Sequence, residues 1–348
     1  MTKRKILVFE FWGLGDLSFS TPVLKGALEA GCEVHLAGKH HARSLLAPTF
    51  PSIRFFSFDA PWSRFTSKYD LWRWNWTELF RLICELRKER YDAVVSVRSD
   101  PRDHLLMWLI GARERIGFPF REPNLFLTQP LTHSNPKQHK VEDWRDIKAS
   151  LGLEVLGWSP ELAHAAYRSP RIDALFSGIR KPVVGLHTGA RIPVRRWPHF
   201  GDLIARLRKE FDFHLVLIPD PDGSGKELGP LADSVAADLS IPEMVDLLGR
   251  VDLLVCNDSG PSHLAAACGR PVIAVFGPSD PDWFRPWGDI HKVIVRDICP
   301  WRPCFDYCKF SEPYCMTKLD ADQIWSELRA HILHLVSREM IPGGLIRK

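Results

Sequence analysis

The sequence predicts an α/β protein built from two successive doubly wound domains, each a parallel sheet with helices on both faces. Three observations predict it. Short apolar runs of strand length alternate with stretches of helical spacing. The alternation fades in a proline-punctuated stretch near the middle and then restarts. The chain has 348 residues, more than one hydrophobic core commonly serves.

The first strand is expected at 6–9, behind Lys3, Arg4 and Lys5. A basic start before apolar residues imitates a leader peptide. Glu10 and Asp16 interrupt the run, however, and no small-residue cleavage site follows. Residues 21–30 carry helical spacing that Gly31 stops. Strands are expected at 34–37, 53–58 and 93–97, and helices at 79–89 and 141–151. From Gly157 to Pro182 the pattern weakens around Pro160 and Pro170. The second half reads strand 183–187, helix 200–210 opened by Pro198, strand 214–218, helix 241–248, strand 253–256, helix 262–267, strand 272–276 and a last helix at 321–336. The expected division is a domain at 1–170, a second at 171–320, and a C-terminal helix and tail at 321–348. A ligand would sit at the carboxyl ends of the strands, in a cleft that both domains face.

Composition narrows the function. Apolar residues make up 45% of the chain and charged residues 25%, which suits a soluble globular protein. A net charge of only +4 fits an anionic small ligand better than nucleic acid, which is not expected as a partner. No apolar run reaches the roughly 18 residues a membrane span needs. The expected location is the cytosol, with room for peripheral contact at the inner face of the cytoplasmic membrane. Eight cysteines in such a chain read as free thiols. Cys32, Cys84, Cys256 and Cys268 sit singly in apolar segments.

Three loops carry chemistry. After the strand at 253–256 come Asn257, Asp258, Ser259, Gly260, Pro261, Ser262 and His263, then an alanine-rich helix. Small residues at a strand end let backbone approach a ligand, and free N–H groups at a helix start attract anions. Ser259, Gly260 and Ser262 can thus face a diphosphate, with His263 as a further donor. Asp258 repels phosphate and suits a sugar hydroxyl or the orientation of the turn. The plainer reading makes Asp258 a helix cap and His263 an interior histidine. After the strand at 183–187, Thr188 and Gly189 form a turn, and Arg195 and Arg196 supply guanidinium forks for a departing nucleotide diphosphate. The plainer reading there is a solvated basic loop. After the first strand, Gly13-Leu14-Gly15-Asp16 makes a tight turn, and Asp16 can take a proton from an attacking hydroxyl. Its plainer reading is again a cap. The same Gly-x-Gly does not make a dinucleotide site. Ser18 holds the third glycine position, and the second strand ends Leu36-Ala37-Gly38 without an acid for ribose.

Together these segments resemble the heptosyltransferases of glycosyltransferase family 9. The resemblance rests on Gly15-Asp16 before Thr21-Pro22-x-Leu24, and on Arg195-Arg196-Trp197-Pro198 after the turn from His187 to Ala190. It continues in the block from Asn257 to Ala267, which runs on through Gly269-x-Pro271 to Phe276-Gly277-Pro278-Ser279-Asp280-Pro281. Tyr91-Asp92 leading to Arg115-Ile116-Gly117-Phe118 also matches, and the order holds over nearly the whole chain. The resemblance implies a GT-B fold of two Rossmann-like domains. It implies an inverting, metal-independent transferase that moves a sugar from ADP-heptose or a related donor to a lipopolysaccharide core or another lipid-linked saccharide.

By that resemblance Asp16 is the catalytic base, and Arg195 stands where relatives have a lysine on the donor phosphates. Thr188, Gly189, Arg196, Asp258, Ser259, Gly260, Ser262 and His263 belong to the donor site. A ribose-binding acid is expected after the strand at 214–218, at Asp220 or Asp222, with Asp222 placed among the donor residues. Gly15 and Arg98 belong to the acceptor side. One departure stands out: Glu10-Phe11-Trp12 precede Gly13, where relatives often carry a basic residue.

Two clusters lie outside this frame. Cys299, Cys304, Cys308 and Cys315 offer enough thiols for a tetrahedral structural zinc, although their spacing is not the usual pair of Cys-x2-Cys; no cofactor is otherwise required. Trp62, Trp72, Trp74 and Trp76, with Phe65, Tyr69, Arg64, Lys68 and Arg73, can grip sugar rings, meet lipid headgroups, or simply pack under a loop. Trp72 and Trp76 are four apart and can share one helical face, with Trp74 pointing elsewhere. The alternatives to a transferase are a sugar-nucleotide epimerase or hydrolase, or a non-catalytic sugar-nucleotide-binding protein. Asp16 argues against the last.

Overall fold

The computed structural model describes residues 3–64, 68–121, 124–133, 135, 137–154 and 158–347. Phe65 of the aromatic segment and Gly157 of the expected boundary lie outside the described residues. The chain divides into two compact units, Met1–Pro160 and Glu161–Lys348.

In the first unit β1 (Lys5–Glu10), β2 (Glu33–Gly38), β3 (Arg54–Ser57), β4 (Ala93–Ser96), β5 (Glu114–Gly117) and β6 (Gln129–Pro130) form one sheet. The order is β3-β2-β1-β4-β5-β6, and every pairing is parallel. Ile6, Leu7, Val8 and Phe9 are all fully buried, as a strand covered on both faces requires. β1 and β2 run so close at their ends that a Cβ on Gly38 would lie 2.7 Å from the Glu10 carbonyl oxygen, so the position demands glycine.

The helix Trp76–Glu89 starts where the Asn75 side chain accepts from the Glu78 N–H at 3.1 Å, and Arg90 ends it in the left-handed region at φ 54°. That start corrects the shared face that the spacing of Trp72 and Trp76 allowed. Trp72 lies in a separate 3-10 turn, Leu71–Arg73, because the Asn75 cap bars helix before Trp76. Trp74 instead packs between Trp62 and Trp76, with ring centroids 5.3 Å from each. Several helices go beyond the sequence reading, among them Leu14–Phe19 and Pro101–Leu109. The latter is capped by Asp100, whose carboxylate accepts from the Arg102 N–H at 3.0 Å.

The second unit repeats the plan with β7 (Val183–His187), β8 (His214–Ile218), β9 (Ser234–Val235), β10 (Leu253–Asn257), β11 (Val272–Val275) and β12 (Lys292–Ile294). Its all-parallel order, β12-β11-β10-β7-β8-β9, is the winding of the first sheet. The strand order therefore reverses between β1 and β4 in one unit and between β7 and β10 in the other, the two places where such sheets open a crevice at their carboxyl ends.

Three larger differences from the expected layout stand out. The division falls at Pro160 rather than residue 170. The terminal helix Ala321–Ser337 is not a separate tail, since Ile324, Leu328, Ile332 and Leu335 are buried in the core beside Phe200 and Leu203. The helix after Trp197 begins at Phe200, behind a cap at His199, so Pro198 precedes it instead of opening it. Among the described residues no helix is long and apolar enough to cross a membrane.

Candidate active site

At the reversal in the second sheet, Asn257 ends β10 fully buried and ties the two neighbouring loops together. Its Nδ2 donates to the Thr188 carbonyl at 2.6 Å, and its Oδ1 accepts from the Trp197 N–H at 3.0 Å. Both partners lie in the loop after β7, so one side chain fixes the arginine loop to the β10 turn. Asn257→Ala would leave that carbonyl and N–H unmet in a dry interior. At about 1–3 kcal/mol for each buried orphan, the expected loss is about 3 kcal/mol, or roughly 6–12 °C in Tm for a domain of this size. A loss below about 1 kcal/mol in denaturant unfolding would show that water meets both groups.

Arg195 joins the two loops from the solvent side. One amino group pairs with Asp258 Oδ2 at 3.0 Å and the other with Asp306 Oδ1 at 2.8 Å. Asp258 is buried, and the Ser279 hydroxyl also donates to its Oδ2. Burial raises the Asp258 pKa, while Arg195 and then Ser279 pull it down. The carboxylate is thus spent on orienting the turn. It does not cap the following helix, Gly260–Ala267, whose cap is Ser259.

Ser259 makes no side-chain capping bond; its hydroxyl lies 3.4 Å from His187 Nδ1. The Ser262 hydroxyl donates to the Ser259 carbonyl at 2.7 Å, and Ser262 and His263 are buried at the helix start. Arg196 donates from Nε to the Ala190 carbonyl at 2.8 Å and pairs with Asp222 at 2.5 Å and Asp220 at 3.7 Å. The Ser224 hydroxyl and N–H, followed by Arg196, hold Asp222 well below the usual carboxylate range. Asp220 faces His187 Nε2 at 3.4 Å. A Cβ on Gly189 would fall 2.1 Å from the Asp220 carboxyl carbon, so the turn needs glycine to pass the acid.

At the reversal in the first sheet, Asp16 is half-buried in the opening turn of Leu14–Phe19. Its Oδ2 accepts from the Gly13 N–H at 3.0 Å, so the carboxylate also closes its own turn. Gly15 is buried beside it. Arg98 follows β4 and is interior, with Nε 3.1 Å from Asp103 and an amino group 3.5 Å from Asp100. Its guanidinium carbon lies 5.3 Å from the Trp12 ring. Asp103 in turn accepts from Trp62 Nε1 at 2.6 Å. The structure therefore sorts the expected residues into two groups, Gly15, Asp16 and Arg98 on the first sheet edge and the donor set on the second.

Asn257, Ser279 and Asp306 were not expected as site residues. Asn257 and Ser279 stood within the diagnostic block, whereas nothing local ties Asp306 to an arginine 111 residues away. Asp306 belongs to the cysteine-rich loop, which clamps the segment after β11. Cys304 N–H and Phe305 N–H both donate to the Pro278 carbonyl at 3.0 Å, and Arg302 donates to the Gly277 and Ser279 carbonyls.

The four thiols lie near enough for their charges to act on one another. Burial foremost pushes Cys315 up to about 11, with Cys304, Cys299 and Cys308 adding to the rise. Their four sulfurs do not all lie within 4.8 Å of one another. Among the described residues only Glu33, His35 and Glu89 bring three ligand atoms within 4.8 Å of one another. Lys5 Nζ already pairs with both carboxylates of that trio, at 3.0 Å from Glu33 and 2.9 Å from Glu89.

Two like-wound sheets with polar loops at both reversals are the setting in which the sequence pattern of glycosyltransferase family 9 (heptosyltransferase) matches residues 79–315. The chain belongs to glycosyltransferase family 9. It is a glycosyltransferase, and the Asn257–His263 turn described above lies within the matched residues. A lipopolysaccharide heptosyltransferase 3 of Escherichia coli is 26% identical over 244 residues, which cover 63% of this chain and 71% of that protein. The family 9 transferase of Veillonella parvula superposes with a TM-score of 0.74 at 18% identity, over 96% of this chain and 99% of that one. The E. coli heptosyltransferase WaaC, solved with ADP-2-deoxy-2-fluoro heptose, gives a TM-score of 0.70 at 20% identity, over 94% and 99%. The fold of this family 9 enzyme is accordingly GT-B.

Proposed function

We propose that this family 9 enzyme transfers heptose from ADP-heptose to a saccharide of the lipopolysaccharide core, with inversion and without a metal. The single observation that carries the reading is the loop pair at the β7–β10 reversal. Arg195, Arg196 and the start of the helix Gly260–Ala267 gather there around one strand edge, which suits a nucleotide diphosphate. The names of the similar E. coli proteins supply the sugar and the acceptor.

In the reaction the acceptor oxygen forms a bond to the anomeric carbon while the bond from that carbon to the diphosphate oxygen breaks. ADP leaves with the electron pair, and Asp16 takes the acceptor proton. Arg195 and Arg196 meet the charge growing on the leaving group, the task a divalent cation performs in other transferases. One displacement inverts the anomeric centre.

ADP-heptose at a hundredfold excess over its Kd is expected to stabilise the protein by about 2.7 kcal/mol, with UDP-glucose giving no comparable shift. The transfer product, followed by NMR, should carry the anomeric configuration opposite to the donor. Retention of configuration would overturn the single displacement, and an equal response to UDP-glucose would overturn the donor.

A further inference from the structure

Glu10 ends β1 as a fully buried carboxyl group. Its Oε1 accepts from the Trp12 N–H at 2.8 Å. Its Oε2 is buried and has no hydrogen-bond partner among the described residues. The charged groups that face it are Asp16 from the opening turn of Leu14–Phe19, Arg98 after β4, and Asp103 from Pro101–Leu109. Arg98 offers little relief, because its guanidinium is shared with Asp103 at 3.1 Å and Asp100 at 3.5 Å.

An ionised carboxylate in that place would be dry, half-bonded and close to a second negative charge, so the neutral form is favoured. Burial first, and then the charge of Asp16, push Glu10 up to about 8. At neutral pH one group of the pair holds a proton and the other does not. Asp16 is half-exposed and bonded to the Gly13 N–H, so the fully buried Glu10 is where the proton is favoured. A buried O–H with no acceptor at the ligand edge of a doubly wound sheet is a donor held ready for one.

We propose that Glu10 binds the acceptor as an uncharged acid, donating from Oε2–H to a saccharide hydroxyl beside Asp16. The assignment rests on the reading of Asp16 as the base. A neutral donor in that place recognises a hydroxyl without adding a second negative charge beside Asp16.

Infrared difference spectra of the intact protein test the protonation directly. A protonated-carboxyl C=O band should be present at pH 7, vanish with a midpoint near 8, and be missing in Glu10→Gln. Wild type and Glu10→Gln giving the same spectra at pH 7 would overturn the proposal. With ADP-heptose as donor and heptose-lacking lipopolysaccharide as the probe acceptor, wild-type kcat/KM should fall about tenfold per pH unit above the ionisation of Glu10. Glu10→Gln, whose amide also donates, should lose that fall. Glu10→Leu should raise the acceptor KM about tenfold, and Glu10→Gln by less.

An unchanged alkaline fall in Glu10→Gln, or an unchanged KM in Glu10→Leu, would equally overturn the proposal. If Glu10→Leu melts early, the spectra of wild type and Glu10→Gln still decide the matter. Should Asp16→Asn retain transfer, the base assignment fails, and the Glu10 band separates that failure from this one.

Discussion

Replacing Asp16 by asparagine is expected to lower kcat for transfer by about 10³-fold while leaving ADP affinity within about a factor of two. The large effect follows from chemistry, because an amide cannot take the acceptor proton. The small one follows from placement. Asp16 belongs to the first unit, and the residues proposed for ADP all belong to the second.

Asparagine also keeps an oxygen that can accept from the Gly13 N–H, so the turn opening Leu14–Phe19 should survive. This separates catalysis from capping, the two roles the sequence left open. Measured kcat, ADP affinity by calorimetry and the melting midpoint together decide it. A fall in the midpoint with a proportionate loss of activity would assign Asp16 to the turn alone.

Arg195→Ala should weaken ADP binding by about 30- to 100-fold, the worth of one or two charge-assisted hydrogen bonds. It should also destabilise the protein, because Asp258 is buried and would lose its main counter-charge. Breaking a buried pair from one side costs about 3 kcal/mol or more.

The sign of the pH dependence is fixed. Burial already raises the Asp258 pKa, and losing Arg195 raises it further, so the folded variant takes up a proton more readily than wild type does. Its deficit in stability is therefore full where Asp258 must ionise and shrinks as pH falls toward protonation of that carboxyl. Arg195→Lys keeps the charge without the fork that spans Asp258 and Asp306, and should bind ADP with intermediate affinity. Unchanged ADP affinity in Arg195→Ala would remove the residue from the donor site.

The second sheet was the most legible part of the sequence. Val183–His187 and His214–Ile218 match expectation residue for residue, because strands covered on both faces leave short apolar runs, each here bounded by a histidine. Ile241–Leu248 is equally sharp, since Ser240 and Glu243 form a reciprocal cap and Pro242 stands in the first turn. A helix start at Asp16 was legible, but the extent of Leu14–Phe19 was not, because Gly13 and Gly15 read as a tight turn. The loops of the site were legible as positions and not as contacts. Asp258 could be placed at a strand end, yet its partner Arg195 lies 63 residues away, and Asp306 lies 111 residues beyond that arginine. Glu10 was visible as an acid that interrupts the first apolar run and as part of the Glu10-Phe11-Trp12 departure. Its meaning depends on burial and on Arg98, which a linear reading does not supply.

Trp197 directly follows the two arginines of the donor loop, and its indole N–H donates to the Leu319 carbonyl at 2.5 Å. Leu319 leads into the helix Ala321–Ser337, whose inner face fills the second core. The carboxyl-terminal stretch thus acts as a latch on the arginine loop from behind, beyond the end of the matched family pattern at residue 315. Trimming the chain at that limit would release the latch and uncover the oily side of Phe200 and Leu203, so the setting of the proposed donor loop and the cover of the second core depend on the same few turns of helix.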